Sequence, residues 1–536
     1  MIMVPLCLSV TMSALDLTIV TPAIPAIVST FQANSGYVWI GSGFILASTA
    51  STPVWGSVAD IWGRKPIMLI SVAVFLAGSL LCALAPNIDA LVAGRTVQGL
   101  GASGMGTMVN VIICDTFSLR DRGLYLAITS IVWAIASAVG PVIGGIFTIT
   151  LSWRWCFWIN LPIGGIVFVV LLLFLRVPSP NTPVLAGLKA IDWTGSLLIV
   201  GGTLMVLLGL DIGGVTYPWS SATTISLIAF GVLVICIFLV IEWKFAANPV
   251  VPLRLFSLAS TSAAFAVFAC NFYVFTGLAY YLPLYSQSVL AANPLISGVH
   301  LVPLIVSCSL AAAFSGVFIQ RTGIYLPIMY VSQVMLTLGT GLFIDLRFEA
   351  RLAHLFIFEI IAGIGVGMNI EPPVLAAQAA TTARDTAAVV ATMGFLRSIG
   401  NAVSIVVGGV IFQGEMDKAY PDLVSQIGEQ GARRFRGTQA VASVDFISGL
   451  PVNDQGVVRL TYFDALKKMW IMYAAFAGLS LFLNLFVRSH HLSTERKDVV
   501  LGVDRDTVLS PAQEPALVPD RASIELINRR RSSHRS

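Results

Sequence analysis

Charge is what this sequence has least of. Asp, Glu, Lys and Arg together make up 11% of its 536 residues, against 57% hydrophobic residues, and the mean hydropathy is +0.87. A composition with so little polar material excludes a water-facing globular surface and identifies a membrane protein. There is no G-x-x-x-x-G-K-[ST] phosphate loop, so drive by ATP is not expected, and no nucleophile triad or carboxylate pair argues for an enzyme. The seven cysteines (Cys7, Cys82, Cys114, Cys156, Cys236, Cys270 and Cys308) are scattered one per apolar run with no C-x-x-C or His-paired spacing. They read as packing residues rather than disulfides or ligands, and no metal is expected. The net charge of +4 is small and set largely by loops and tail, so no nucleic-acid partner is implied.

What the chain has in abundance is apolar length. Windows of about 20 residues, enough for a helix to cross a bilayer core, recur throughout. Spans are predicted at 3–27, 37–59, 66–85, 89–114, 123–149, 155–176, 190–212, 222–243, 260–285, 297–319, 324–346, 353–379, 386–412 and 468–487. Continuous runs such as IGGIVFVVLLLFL are unlike the alternating strands of a β-barrel, so the fold class is an all-α membrane bundle of fourteen spans. The first run continues past Asp16 without a cleavage site and counts as a span rather than a signal peptide; the short segment before it suggests an incomplete amino-terminal tail.

With the amino terminus inside, the short inner loops hold Arg64, Lys65, Arg120, Arg122, Arg176, Lys189, Lys244, Arg254, Arg321 and Arg384. The short outer loops hold Arg154, Arg347 and Arg351, an asymmetry that obeys the positive-inside rule. A long outer loop is expected at about 413–467, and its Arg433, Arg434 and Arg436 weigh little in that rule.

Two halves repeat. RTVQGLG (Arg95 to Gly101) matches EIIAGIG (Glu359 to Gly365), and AVGPVIGGIF (Ala138 to Phe147) matches AVSIVVGGVI (Ala402 to Ile411), both at an offset of 264 residues. GSVADIWG at Gly56 and GVFIQRTG at Gly316 share two glycines at an offset of 260. Three matches in one order at nearly one offset indicate two homologous six-span bundles, a parallel repeat typical of transporters. The layout is then a first bundle at 1–176, two inserted spans at 177–256, a second bundle at 257–488 and a disordered tail at 489–536, in which RRRSS at Arg529 to Ser533 is either a phosphorylation site or a solvated basic end.

Gly99, Gly101 and Gly104 in RTVQGLGASG have the G-x-G-x-x-G spacing of a dinucleotide loop, but they fall mid-span with no preceding strand. They are expected to let helices approach closely. Arg95 beside them is expensive in a bilayer and is kept either for a structural ion pair or for transport.

These segments resemble the major facilitator superfamily, specifically its fourteen-span drug:proton antiporter branch. GSVADIWGRKP (Gly56 to Pro66) resembles the signature loop between spans two and three, and LVAGRTVQGLGAS the span-four signature. AVGPVIGG resembles the span-five antiporter signature, and ALDLTIVTPAIP (Ala14 to Pro25) that of span one. The chain departs from the pattern at Ala136, usually glycine, and at Thr21, usually asparagine.

The resemblance implies that Gly56, Asp60, Gly63, Arg64 and Lys65 form a latch holding the two bundles together on the inner side; anchoring at lipid headgroups is the alternative. Gly140, Pro141, Gly144 and Gly145 are expected to kink span five and offer a flat face to another helix, and in family context to mark antiport. Proton coupling needs a buried carboxylate or its cationic partner: Asp16 and Arg95 in the first half, and in the second Glu359, with Glu371 and Arg397 nearby in sequence. His300 and His354 fall near span ends. A substrate cavity is expected from Gln98, Asn110, Asn271, Tyr273, Tyr280 and Tyr281, with the other aromatics of span nine (Phe272, Phe275 and Tyr285); an interfacial aromatic belt is the competing reading for that span, and the simpler one for Trp153, Trp155 and Trp158.

The expectation is a plasma-membrane, proton-coupled antiporter, monomeric and without cofactor, that exports amphiphilic drugs, toxins or secondary metabolites. Its partners are the small-molecule substrate, protons and the lipid bilayer. A vacuolar carrier for basic amino acids, using Asp16, Glu359 and Glu371, is the alternative, and a non-transporting membrane sensor a remote one.

Overall fold

The computed structural model describes residues 2–492 and 494, apart from 32–35, 178, 179, 181, 215, 216, 247, 248, 347, 349–351, 383, 384 and 438. Arg347, Arg351 and Arg384 therefore lie outside the described residues, as does nearly all of the predicted tail.

Among the described residues, fourteen long helices follow one another. The first bundle holds α1 (Met3–Ile19), α2 (Gly36–Trp62), α3 (Arg64–Ala83), α4 (Ile88–Thr116), α5 (Leu119–Thr150) and α6 (Asn160–Phe174). The insertion holds α7 (Trp193–Ile212) and α8 (Ala222–Lys244), and the second bundle α9 (Ala259–Ser288), α10 (Val302–Thr322), α11 (Leu326–Leu342), α12 (Leu352–Met368), α13 (Thr386–Ala432) and α14 (Val452–Asn484).

Joined with the short helical turns that continue them, so that α6 belongs to a span of Trp155–Phe174, thirteen of these are long and apolar enough to cross a membrane. The remaining one, α2, is as long at 27 residues but rich in Gly, Ser and Thr. It packs against α4, where Thr52 and Ser103 share a hydrogen bond of 2.9 Å. Its polarity is thus spent on a helix neighbour rather than shown to lipid. By contrast α8 leaves Phe230, Leu233, Leu239 and Trp243 exposed, as a lipid-facing helix should.

Glycine positions display the repeat in three dimensions. A methyl group on Gly101 would strike the backbone of Phe75, and one on the equivalent Gly365 the backbone of Leu336. The same close crossing of spans three and four is therefore rebuilt in the second half.

Across the bundles the correspondence is reciprocal. Gly56 of α2 packs on Ala387 and Ala391 of α13, while Gly316 of α10 packs on Gly123 and Ala127 of α5. The offsets of 260 and 264 residues carry one set of contacts onto the other, which is what a twofold relation between bundles requires.

The stretch 413–467 differs from the expected long loop. α13 continues to Ala432, with Gly428 in a left-handed conformation at φ 77°, and α14 begins at Val452. Phe412, Met416 and Leu423 bury one face of the α13 extension in a core shared with Val458, Tyr462 and Leu466 of α14. Helical spacing of apolar residues in a polar segment explains why it folds although it contains no continuous apolar run.

Candidate functional site

Asp16 sits on α1, Arg95 and Gln98 on α4, one turn apart, and all three are buried. The Arg95 guanidinium donates to Asp16 at 2.6 Å and to Gln98 Oε1 at 2.9 Å, and its Nε donates to the carbonyl of Ile40 at 3.1 Å. Gln98 Nε2 donates to Asp16 at 3.0 Å and to Ser79 at 2.7 Å, and Asn160 Nδ2 donates to Asp16 at 2.6 Å. Phe44 covers the guanidinium at 4.5 Å. Four helices and the start of α6 are thereby tied into one polar core inside the first bundle. Gln98, expected in a substrate cavity, belongs to this core instead; Asn160 and Ser79 escaped the sequence reading because a lone polar residue in a span carries no pattern.

The second bundle does not copy this core. Glu359 occupies the place of Arg95 and is buried, but neither of its carboxylate oxygens has a hydrogen-bond partner among the described residues. The counterpart of Gln98 is Ala362.

The latch residues divide. Arg64 donates to Asp60 of α2 and to Asp115 of α4, each at 2.7 Å, and Lys65 donates to the carbonyl of Leu172. Gly63 turns the chain between α2 and α3 at φ 91°. These bonds brace the first bundle internally, while Gly56 packs on the other bundle, against Ala387 and Ala391.

Closure between the bundles is made elsewhere. Arg120 Nε donates to the carbonyl of Gln320 at 2.6 Å, a second N–H of Arg120 donates to the carbonyl of Arg321, and Gln320 donates to Asp121 at 3.1 Å. Arg122 donates to Gln378 at 2.8 Å. All lie at the end of the molecule where the positively charged short loops gather, the end that the positive-inside rule assigns to the inner side.

On α5, Gly140 and Gly144 press against Thr18 and Ile19, whereas Gly145 faces open space; the flat face is therefore Gly140 and Gly144, with Pro141 inside a helix that runs unbroken from Leu119 to Thr150.

Between the bundles lies a cavity lined by Asn110, Ser130, Phe268, Phe272, Glu371 and Arg397, with Leu126 of α5, Val390 and Met393 of α13, and Ile370 and Val374 beyond the end of α12. Its volume is about 80 Å³, below the ~300–1,000 Å³ of ligand-filled pockets, so a drug-sized molecule requires the bundles to part. Ser130 of α5 donates to Glu371 at 3.0 Å across the interface. Arg397 of α13 faces the cavity with its side chain exposed, and its guanidinium lies 5.4 Å from the Phe272 ring.

Of the expected cavity residues, Asn110 and Phe272 line it. Asn271 is buried and donates to Val366. The Tyr273 hydroxyl donates to the Met472 sulfur and its ring stacks on Phe476 at 4.2 Å. Tyr281 donates to the carbonyl of Ile405 at 2.5 Å, and Tyr280 points outward at 51% exposure. The reason is helical phase: Phe268 and Phe272, four apart, share the cavity face of α9, while Tyr273 and Tyr281, eight apart, share the face packed on α13 and α14. Trp153, expected in an interfacial belt, is likewise buried, against Phe31 and Phe157.

Residues 6–405 match the family model described as Major Facilitator Superfamily. The chain is 45% identical over 503 residues to "Efflux pump dotC" of Dothistroma septosporum, covering 94% of this chain and 86% of that protein. It is 43% identical to "MFS-type transporter ppz2" of Metarhizium majus (94% and 87% covered) and 34% identical to "Efflux pump FUS6" of Gibberella moniliformis (92% and 88% covered). Among solved structures, the human organic anion transporter MFSD10 (TETRAN) shares the fold at a TM-score of 0.57 and 14% identity, covering 90% of this chain and 98% of that one. The proton:xylose symporter XylE does so at 0.53 and 13%, covering 95% and 98%.

Proposed function

Because the chain belongs to the Major Facilitator Superfamily and is a transporter rather than an enzyme, we propose that it is a proton-coupled antiporter that exports amphiphilic toxins, drugs or secondary metabolites by alternating access. The observation that carries this reading is the cavity between two twofold-related bundles, lined by aromatic rings and two charged residues and sealed on the inner side by Arg120 and Arg122. Breaking that seal and closing the outer ends exposes the same cavity to the inner side. The efflux-pump names of the relatives supply the direction.

In this reading Asp16 loads and releases the proton and Arg95 tunes it, with Glu359 the corresponding group of the second bundle; the protein works as a monomer in the plasma membrane and needs no cofactor. One charge is worth ~2.3 kcal/mol per 100 mV and one pH unit ~1.36 kcal/mol. At about 150 mV and one to two pH units, one proton supplies roughly 5–6 kcal/mol, a substrate ratio of ~10⁴. The vacuolar basic-amino-acid reading draws less support: of its three acidic residues, Asp16 is already paired with Arg95, Glu359 does not line the cavity, and Glu371, which does, accepts from Ser130 and has Arg397 beside it.

The test is accumulation of labelled hydrophobic drugs in deletion and overexpressing cells, with and without a protonophore. Lower accumulation on overexpression, abolished by the protonophore, is expected. Unchanged drug levels with altered vacuolar lysine or arginine would reject the proposal.

A further inference from the structure

The charges facing the cavity are not balanced in their availability. Glu371 is 5% exposed and accepts from Ser130. Arg397 is exposed to the cavity, and among the described residues its guanidinium makes neither an ion pair nor a hydrogen bond, although Glu371 is close enough to act on it electrostatically. Arg64, Arg95, Arg120 and Arg122 are by contrast spent on carboxylates, amides or carbonyls. An arginine held at mid-span is expensive and is normally kept for a partner. Here the protein presents the group without one.

The surroundings specify what completes it. A guanidinium offers five N–H donors in a planar fork that matches an anionic oxygen pair. Phe272 already covers one side of the group, and Phe268 extends the aromatic wall, against which a flat ring packs. Asn110 and Ser130 supply further polar contacts within the same cavity.

Resting on the export reading above, we propose that Arg397 is the anchor for acidic aromatic substrates: an anionic oxygen, carboxylate or phenolate, docks on the guanidinium while the ring system lies against Phe272 and Phe268. Cationic amphiphiles bind less well, because they meet Arg397 and reach Glu371 only by displacing Ser130. Such a substrate also leaves the cell with the electrical field rather than against it, since export of an anion from a negative interior is favoured by the membrane potential.

The experiment is equilibrium binding, by fluorescence anisotropy, of two dyes sharing a xanthene core, anionic fluorescein and cationic rhodamine 6G, to the purified full chain in detergent. No gradient is present, so the result is independent of whether transport is proton-coupled; failure of that reading appears in the protonophore assay and not here. The expected result is at least tenfold tighter binding of fluorescein than of rhodamine 6G. Arg397→Gln should lose at least tenfold for fluorescein with rhodamine 6G little changed, and Arg397→Lys should recover part of the loss. Gel filtration establishes that each variant is folded, and Arg397→Lys carries the comparison if the glutamine variant is not. Preference for rhodamine 6G, absence of fluorescein binding, or fluorescein binding indifferent to both substitutions overturns the proposal.

Discussion

Replacing Asp16 by Asn tests whether the buried pair on α1 and α4 holds the first bundle together. The Asp16 carboxylate accepts N–H groups from Arg95 and Asn160 at 2.6 Å and from Gln98 at 3.0 Å. An asparagine keeps the shape but turns one oxygen into a donor, so at least one of these contacts becomes donor against donor, and Arg95, 1% exposed, is left as an uncompensated charge. Breaking a buried pair from one side costs about 3–5 kcal/mol, a large share of a total stability of about 5–15 kcal/mol. Removing the cation as well relieves most of this. Asp16→Asn with Arg95→Met should therefore lose about 2–3 kcal/mol less than the two single losses added together. The assay is thermal unfolding of the purified protein in detergent, with gel filtration as the check on folding: Asp16→Asn should melt well below wild type and the double variant above it. A single variant that melts at the wild-type temperature, or losses that simply add, refutes the reasoning. Unchanged protonophore-sensitive efflux in a folded Asp16→Asn protein would separately remove Asp16 from coupling.

Three other outcomes follow from the packing. Gly101→Ala and Gly365→Ala insert a methyl into the backbone of the neighbouring helix and should each destabilise by about 1–3 kcal/mol or more, whereas Gly106→Ala, which faces open space, should melt like wild type. Arg120→Ala with Arg122→Ala removes charge-assisted bonds of about 1.5–3 kcal/mol each; the inner ends of α5 and α10 should separate, read as longer spin-label distances, with at least a tenfold change in the ratio of closed to open states. Tyr281→Phe loses one hydrogen bond of about 1 kcal/mol and should lower the melting temperature slightly while leaving the exported compounds unchanged, whereas Phe272→Ala should alter which compounds protect cells in a drug-resistance assay.

The sequence by itself determined the fold, because lipid leaves a chain so few options. Apolar length and backbone satisfaction force helices, and a repeated order of motifs at one offset implies two bundles; Gly56 with Gly316, and Gly101 with Gly365, meet matching partners in the structure. Arg95 was legible as well, since a charge in an apolar run stands out. What the sequence did not determine was which side of each helix faces which neighbour. The tyrosines of α9 looked like cavity residues, but a rotation of about 100° per residue turned Tyr273 and Tyr281 toward α13 and α14 and Tyr280 outward, and left Phe272 facing the cavity. Gln98 was drawn into the core of Arg95 for the same reason. The inner seal at Arg120 and Arg122, and the meeting of Ser130, Glu371 and Arg397, join residues some 200 to 270 positions apart in the chain. Periodicity within one helix carries no information about them, so only the packing of one bundle against the other decided that they form a site.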